Sequence, residues 1–177
     1  MTTHSNDSSK PILIGLGANL TSRHGAPRET IELALASLSD AGVTVAAVAP
    51  MYESAPVPAS DQPWFVNTVA ELETGLQPEE LLSLLHKTEE AFGRVRRERW
   101  EARVLDIDLL DYRGLISQDG CPILPHPRMA DRAFVLLPLR CLAPEWCHPV
   151  TGTPIDDLIA ALPADQEIRQ MVPDDKG

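Results

Sequence analysis

Apolar residues spaced in turn at the period of a strand and the period of a helix predict an α/β fold for this chain. More closely, they predict an α+β sandwich in which helices pack on an antiparallel sheet. Two stretches, residues 26–38 and 78–92, place apolar side chains three and four apart, the spacing of a buried helix face. Residues 64–76 alternate between two faces, the period of a strand. Residues 104–112 form an apolar run in which Asp106 and Asp108 stand two apart.

Taken in order, residues 11–18 are a short apolar run ending in glycines, read as a buried strand and turn. Gly15 and Gly17 begin a dinucleotide-binding fingerprint, but its third glycine would fall at Leu20, which argues against a Rossmann site. Pro27 opens the first helix, Ile31, Leu35 and Leu38 form its stripe, and Gly42 ends it. Residues 43–52 are rich in strand formers, and residues 53–62 read as a loop followed by Pro63. The strand at 64–76 puts Phe65, Asn67 and Val69 on one face and Val66, Thr68 and Ala70 on the other. Pro78, Glu79 and Glu80 occupy the first turn of the second helix, where acidic groups suit the helix dipole. Leu81, Leu84, Leu85 and Phe92 form its stripe and Gly93 caps it. The strand at 104–112 completes the order β-α-β-β-α-β, the split β-α-β or ferredoxin-like pattern, with two helices on one face of an antiparallel sheet. A proline-rich C-terminal extension follows, with short helices at 133–142 and 155–162. One domain is expected over 11–165, between a disordered tail at 1–10 and a C-terminal tail at 166–177.

A chain of 177 residues, 44% of them hydrophobic, suffices for one core. Its formal net charge of −11 argues against a nucleic-acid partner. Five arginines nevertheless fall between Arg94 and Arg103, a third of the fifteen basic residues, which suits a small polyanion rather than a polymer. Cys121, Cys141 and Cys147 are odd in number and without framework spacing, as for reduced thiols in a cytoplasmic protein. Cys141, Cys147 and His148 have the spacing of no standard zinc site. Residues 1–10 show no apolar signal region, and no run approaches the 18 apolar residues of a membrane span.

The chemistry concentrates at residues 94–108. On a strand, Asp106 and Asp108 share a face, roughly 6–7 Å apart at Cα, while Leu105, Ile107 and Leu109 turn the other way. Two ionised carboxylates so close repel unless a cation neutralises them. Oxygen-only ligands suit Mg²⁺, which takes one or two carboxylates together with substrate phosphates. The adjoining arginines supply forked donors for phosphate oxygens. Either feature alone has a plainer explanation, a solvated strand end or a wet charged surface. Together they point to phosphoryl transfer from a nucleotide.

Four stretches then carry a family resemblance: Gly15-Leu-Gly-Ala-Asn-Leu20; Tyr52-Glu-Ser54 with Asp61-Gln-Pro-Trp-Phe-Val-Asn67; Gly93 through Leu110; and Leu124-Pro-His-Pro-Arg-Met129 with Arg132 to Leu139. In register they resemble 6-hydroxymethyl-7,8-dihydropterin pyrophosphokinase, an enzyme of folate biosynthesis with a ferredoxin-like fold. The resemblance implies Mg²⁺-dependent transfer of pyrophosphate from ATP to the pterin alcohol, releasing AMP. It implies that Asp106 and Asp108 hold two Mg²⁺ ions, that Arg94, Arg96, Arg103 and His126 face the triphosphate, and that Trp100 lies on a loop closing over the nucleotide. Arg132 matches a further phosphate- or loop-facing arginine and Glu89 a nucleotide-side carboxylate. Ser54, Val57, Phe65, Asn67 and Phe134 match the pterin pocket, two aromatics sandwiching the ring while Asn67 bonds its edge. The chain departs from the pattern at Glu101, where the family often has glycine, and at Cys121, where some members place a basic nucleotide contact. ATP and the pterin are the expected partners, with no nucleic acid or membrane, and a monomer in the cytoplasm is the expected form.

The same element order serves RNA-binding modules and other Mg²⁺-dependent nucleotidyl or phosphoryl transferases. An RNA-binding module is disfavoured by the acidic charge and the 5% aromatic content. A palm-type transferase would share the aspartate pair but has no use for a pterin pocket.

Overall fold

A computed structural model describes residues 8–93 and 104–172. The elements are β1 (Ile12–Ala18), α1 (Pro27–Asp40), β2 (Thr44–Val48), β3 (Tyr52–Ser54), β4 (Phe65–Glu73), α2 (Pro78–Ala91), β5 (Asp106–Tyr112), a helical turn at Met129–Asp131, α3 (Ala133–Leu142), α4 (Ile155–Ala160) and β6 (Ile168–Gln170). Among the described residues the strands form one sheet in the order β5-β1-β4-β3-β6, with β2 also pairing with β4. All of these pairings are antiparallel.

Local chemistry sets the helix ends. The backbone N–H of Ala26 donates to Glu29 Oε2 and that of Gln77 to Glu80 Oε2, both at 2.8 Å, so a glutamate in each first turn satisfies an amide just outside the helix. Gly42, at φ +89°, turns the chain out of α1 while Val43 N–H donates back to the Leu38 carbonyl at 3.1 Å.

Period two divides the core between the sheet's faces. Ile12, Ile14, Leu16, Ile107 and Leu109 meet Ile31, Leu35, Leu38, Leu81 and Leu85 of α1 and α2. Leu81 and Leu85 have no exposed surface, each burial stabilising the fold by roughly 1.5–3 kcal/mol. The other face sends Leu13, Val69 and Leu110 against Val135, Leu136 and Leu139 of α3, with Trp146 beside them. Buried Asp111 holds that end by accepting Trp146 Nε1–H at 2.9 Å and Gly114 N–H at 2.8 Å.

The structure corrects four local expectations. Residues 43–52 are divided into β2 and β3 because Pro50 lacks an amide donor, although Ala49 N–H still reaches the Val69 carbonyl at 2.9 Å. Glu53 and Ser54 belong to β3 rather than to the loop. Gly15 and Gly17 lie within β1 rather than in a turn, because β4 and β5 pair along both of its edges. Residues 168–170 extend the sheet past the tail boundary set at 166, Ile168–Gln170 finding backbone partners on β3.

Candidate active site

The face that α3 covers is left open at one end, where β1 carries glycines. Across the strands, Gly17 is paired with Asp106 on β5 and Asn67 on β4, and Gly15 with Asp108 and Val69. Residues paired across an antiparallel sheet project to the same side. The aspartates and Asn67 therefore stand on either side of a strip without side chains, which floors a cleft of about 670 Å³. The floor tolerates little: a Cβ added at Gly17 would lie 2.9 Å from Asn67 Oδ1.

Of the residues singled out from sequence, Ser54, Val57, Phe65, Asn67, Asp106, Asp108, Arg132 and Phe134 line this cleft. Asn67 is 5% exposed and its Nδ2 donates to Ser54 Oγ at 2.8 Å, so the amide is oriented before any ligand arrives. Phe65 comes from β4 and Phe134 from the first turn of α3. The Arg132 guanidinium lies 5.4 Å over the Phe134 ring and its Nη1 is 3.9 Å from Asp108 Oδ2. That position gives the aspartate a nearby positive charge while the guanidinium still lines the cleft.

His126 sits beside the aspartates, its Nε2 4.0 Å from Asp108 Oδ2. Burial, with Arg132 and Arg128 nearby, pushes its pKa down to about 4 against the pull of Asp106. The imidazole is thus neutral at pH 7 and the approach to Asp108 is no ion pair. Nδ1 accepts Arg128 N–H at 3.2 Å, which leaves the ring proton on Nε2 as a donor toward the carboxylates.

Glu89, matched by the resemblance to a nucleotide-side carboxylate, lies at the end of α2 beside β5. It is 1% exposed, absent from the cleft lining, and accepts the Ile107 N–H at 2.7 Å. Ile107 lies between the two aspartates on a strand that is at the sheet's edge among the described residues, and α2 supplies a partner on its outer side. Among the described residues Glu89 thus braces the strand segment between Asp106 and Asp108. Arg94, Arg96, Trp100 and Arg103 lie outside the described residues.

The cleft is also lined by residues to which the sequence analysis gave no site role: Gly15 and Gly17 on its floor, and Gln62, Arg128, Asp131, Asp165 and Gln166. Arg128 lies inside a quoted motif and could have been proposed; Gln166 fell in a segment taken for a tail. Among the described residues no cluster of three or more acidic, histidine or cysteine side chains could cage a metal. Two neighbouring carboxylates, with no third ligand among the described residues, suit Mg²⁺ that completes its shell with phosphate oxygens and water. No helix among the described residues is long and apolar enough to cross a membrane.

Comparison with known proteins gives a consistent set of relatives. A family model described as 7,8-dihydro-6-hydroxymethylpterin-pyrophosphokinase (HPPK) matches residues 13–144. The 2-amino-4-hydroxy-6-hydroxymethyldihydropteridine pyrophosphokinase of Pseudomonas aeruginosa is 41% identical over 153 residues, 86% of this chain and 91% of that protein. The folic acid synthesis protein fol1 of Pneumocystis carinii is 35% identical over 162 residues, 92% of this chain but 21% of its own length, so the chain spans about a fifth of that relative. The solved structure of Plasmodium falciparum HPPK-DHPS with SDX-DHP shares the fold, with a TM-score of 0.60 at 15% identity over 85% of this chain and 43% of that one.

Proposed function

This chain belongs to the 7,8-dihydro-6-hydroxymethylpterin-pyrophosphokinase family, and on that premise we propose that its cleft binds ATP at the aspartate end and the pterin at the Asn67 end. The reaction is transfer of pyrophosphate from ATP to the hydroxymethyl group of 6-hydroxymethyl-7,8-dihydropterin, in folate synthesis. The observation that carries the division of the cleft is the single row Asp106, Gly17, Asn67, which sets a charged end and an amide end on one glycine floor.

Asn67, oriented by Ser54, bonds the polar edge of the pterin, while Phe65 and Phe134 flank the ring and Val57 covers it. The hydroxymethyl oxygen then faces the carboxylate end and attacks the β-phosphorus of ATP in line, with AMP leaving. Arg132 binds phosphate oxygens, and the neutral His126 donates from Nε2. Arg94, Arg96, Arg103 and Trp100 complete the nucleotide side on this reading. Asp106 and Asp108 would hold Mg²⁺, two ions by the family resemblance. When bound, the metal neutralises charge on the phosphates and aligns attacking and leaving oxygens. No side chain need act as a strong base, because such transfers depend on positioning and charge stabilisation. The working unit is a cytoplasmic monomer with one pyrophosphokinase domain over residues 11–165, to which Ile168–Gln170 add a strand beside β3.

The test is a calorimetric titration of 6-hydroxymethylpterin into the protein holding Mg²⁺ and α,β-methylene ATP. Saturable one-to-one binding that weakens in Asn67→Ala supports the proposal. Absence of pterin binding, with nucleotide bound, would leave a nucleotidyl transferase of another substrate class.

A further inference from the structure

Pro163, Asp165 and Gln166 line the cleft, and the segment 163–170 that carries them is fastened on two sides. Toward β3, the Glu167 carbonyl accepts Ala55 N–H at 3.0 Å, Ile168–Gln170 pair with the strand, and Arg169 Nε meets Glu53 Oε2 at 2.7 Å. Toward α3, one side chain makes both links. Gln166 Nε2 donates to the Asp131 carbonyl and Gln166 Oε1 accepts the Ala133 N–H, each at 2.8 Å.

Those two backbone groups flank Arg132. Ala133 is the first residue of α3, and Arg132 in the N-cap position gives no side-chain cap. Gln166 therefore supplies, from 33 residues away, an acceptor for one of the amides that a helix start leaves without a partner. By holding a donor and an acceptor of the same turn it also fixes the direction in which Arg132 and Phe134 leave the backbone. The rest of α3 is anchored independently through buried Val135, Leu136 and Leu139. Loss of the clamp would loosen the first turn rather than undock the helix.

The geometry points to Gln166 as a positioning residue for the reaction, clamping the turn that carries Arg132 and Phe134 and tying that wall of the cleft to the strand that carries Ser54. This rests on the pterin assignment proposed above. Gln166 acts through Phe134 and does not itself bond the substrate.

The test compares Gln166→Met, which keeps the side chain's length and removes both hydrogen bonds, with Arg169→Ala, which frees the same segment from Glu53 without touching the clamp. Affinity for 6-hydroxymethylpterin is measured with Mg²⁺ and α,β-methylene ATP present, well below each variant's Tm. Gln166→Met should raise the pterin Kd roughly 5- to 30-fold, the effect of losing a helix cap at a binding wall. Arg169→Ala, an exposed pair, should stay within about twofold of wild type. In a Phe134→Ala background the Gln166→Met effect should largely vanish, because two residues acting through one contact are not additive.

Additive effects, equal losses in Gln166→Met and Arg169→Ala, or a Gln166→Met Kd within about twofold of wild type would each overturn the role given to Gln166. If Gln166→Met does not fold, Gln166→Glu is read in the same titration with the same outcomes, since it keeps the acceptor for Ala133 but turns a carboxylate toward the Asp131 carbonyl. Failure of the wild-type protein to bind pterin would instead remove the functional assignment, and this proposal with it.

Discussion

Replacing Gly17 by alanine isolates what the bare strip in β1 contributes. The backbone at Gly17 is not among those with positive φ, so alanine brings no conformational strain there. The new Cβ would, however, stand 2.9 Å from Asn67 Oδ1, and the amide must retreat by roughly half an ångström to reach ordinary contact. Asn67 is held by one 2.8 Å hydrogen bond to Ser54 in a site 5% exposed, so the retreat strains or breaks that bond. Disturbing a buried amide costs about 1–3 kcal/mol. Removing glycine from a strand interior returns about 0.5–1 kcal/mol by restricting the unfolded chain. Stability should therefore fall by only about 0–2.5 kcal/mol, the difference of those two figures. Pterin affinity should fall about 10- to 100-fold, because the displaced amide is the group proposed to read the ring. Pterin titration alongside thermal unfolding measures both. Gly15→Ala is the control, since its Cβ meets Leu110 Cδ1 at 3.4 Å and leaves Asn67 alone, so it should lose less pterin affinity. Undiminished pterin binding in Gly17→Ala would refute the assignment of Asn67 as the ring-reading amide.

Other perturbations separate the supports of the site. Asp106→Ala or Asp108→Ala should lower turnover by at least about 10²–10³-fold, measured as AMP release. Without Mg²⁺ the Tm of Asp106→Ala should hold or rise, because a like-charge repulsion is relieved. Glu89→Ala leaves the Ile107 N–H buried without its acceptor and should lower stability by about 1–3 kcal/mol in denaturant unfolding, with turnover falling as well. His126 has a folded pKa of about 4, below its ordinary 6.5, so the unfolded chain binds the proton first and stability falls as pH drops from 6.5 toward 4. His126→Gln should flatten that part of the stability-against-pH curve, and an unchanged slope would show that the imidazole is not neutral in the folded protein.

Much of the sheet's chemistry is legible in the sequence because the side-chain period of a strand is two. That rule alone put Asp106 with Asp108, and Asn67 with Phe65 and Val69, on common faces, and their partners in the core bear it out. The less legible parts depend on contacts distant in sequence. Gly15 and Gly17 look like turn residues until strands on both sides make them a floor. Glu89 lies 18 positions from the amide it satisfies, and nothing in α2 marks its partner as backbone. Three residues of β6 are too few to show a period, and Gln166 gains its role only once β6 brings residues 163–167 against α3. Pro50 could have signalled the break between β2 and β3, but the strand formers on either side mask it.

The most direct test is to identify the phosphorus products when the protein is incubated with ATP, Mg²⁺ and 6-hydroxymethyl-7,8-dihydropterin, followed by ³¹P NMR. Pyrophosphoryl transfer in this cleft predicts one AMP for each pterin consumed, with both transferred phosphates in a single diphosphate ester on the pterin. ADP with a pterin monophosphate, or AMP with free pyrophosphate and unreacted pterin, would contradict it.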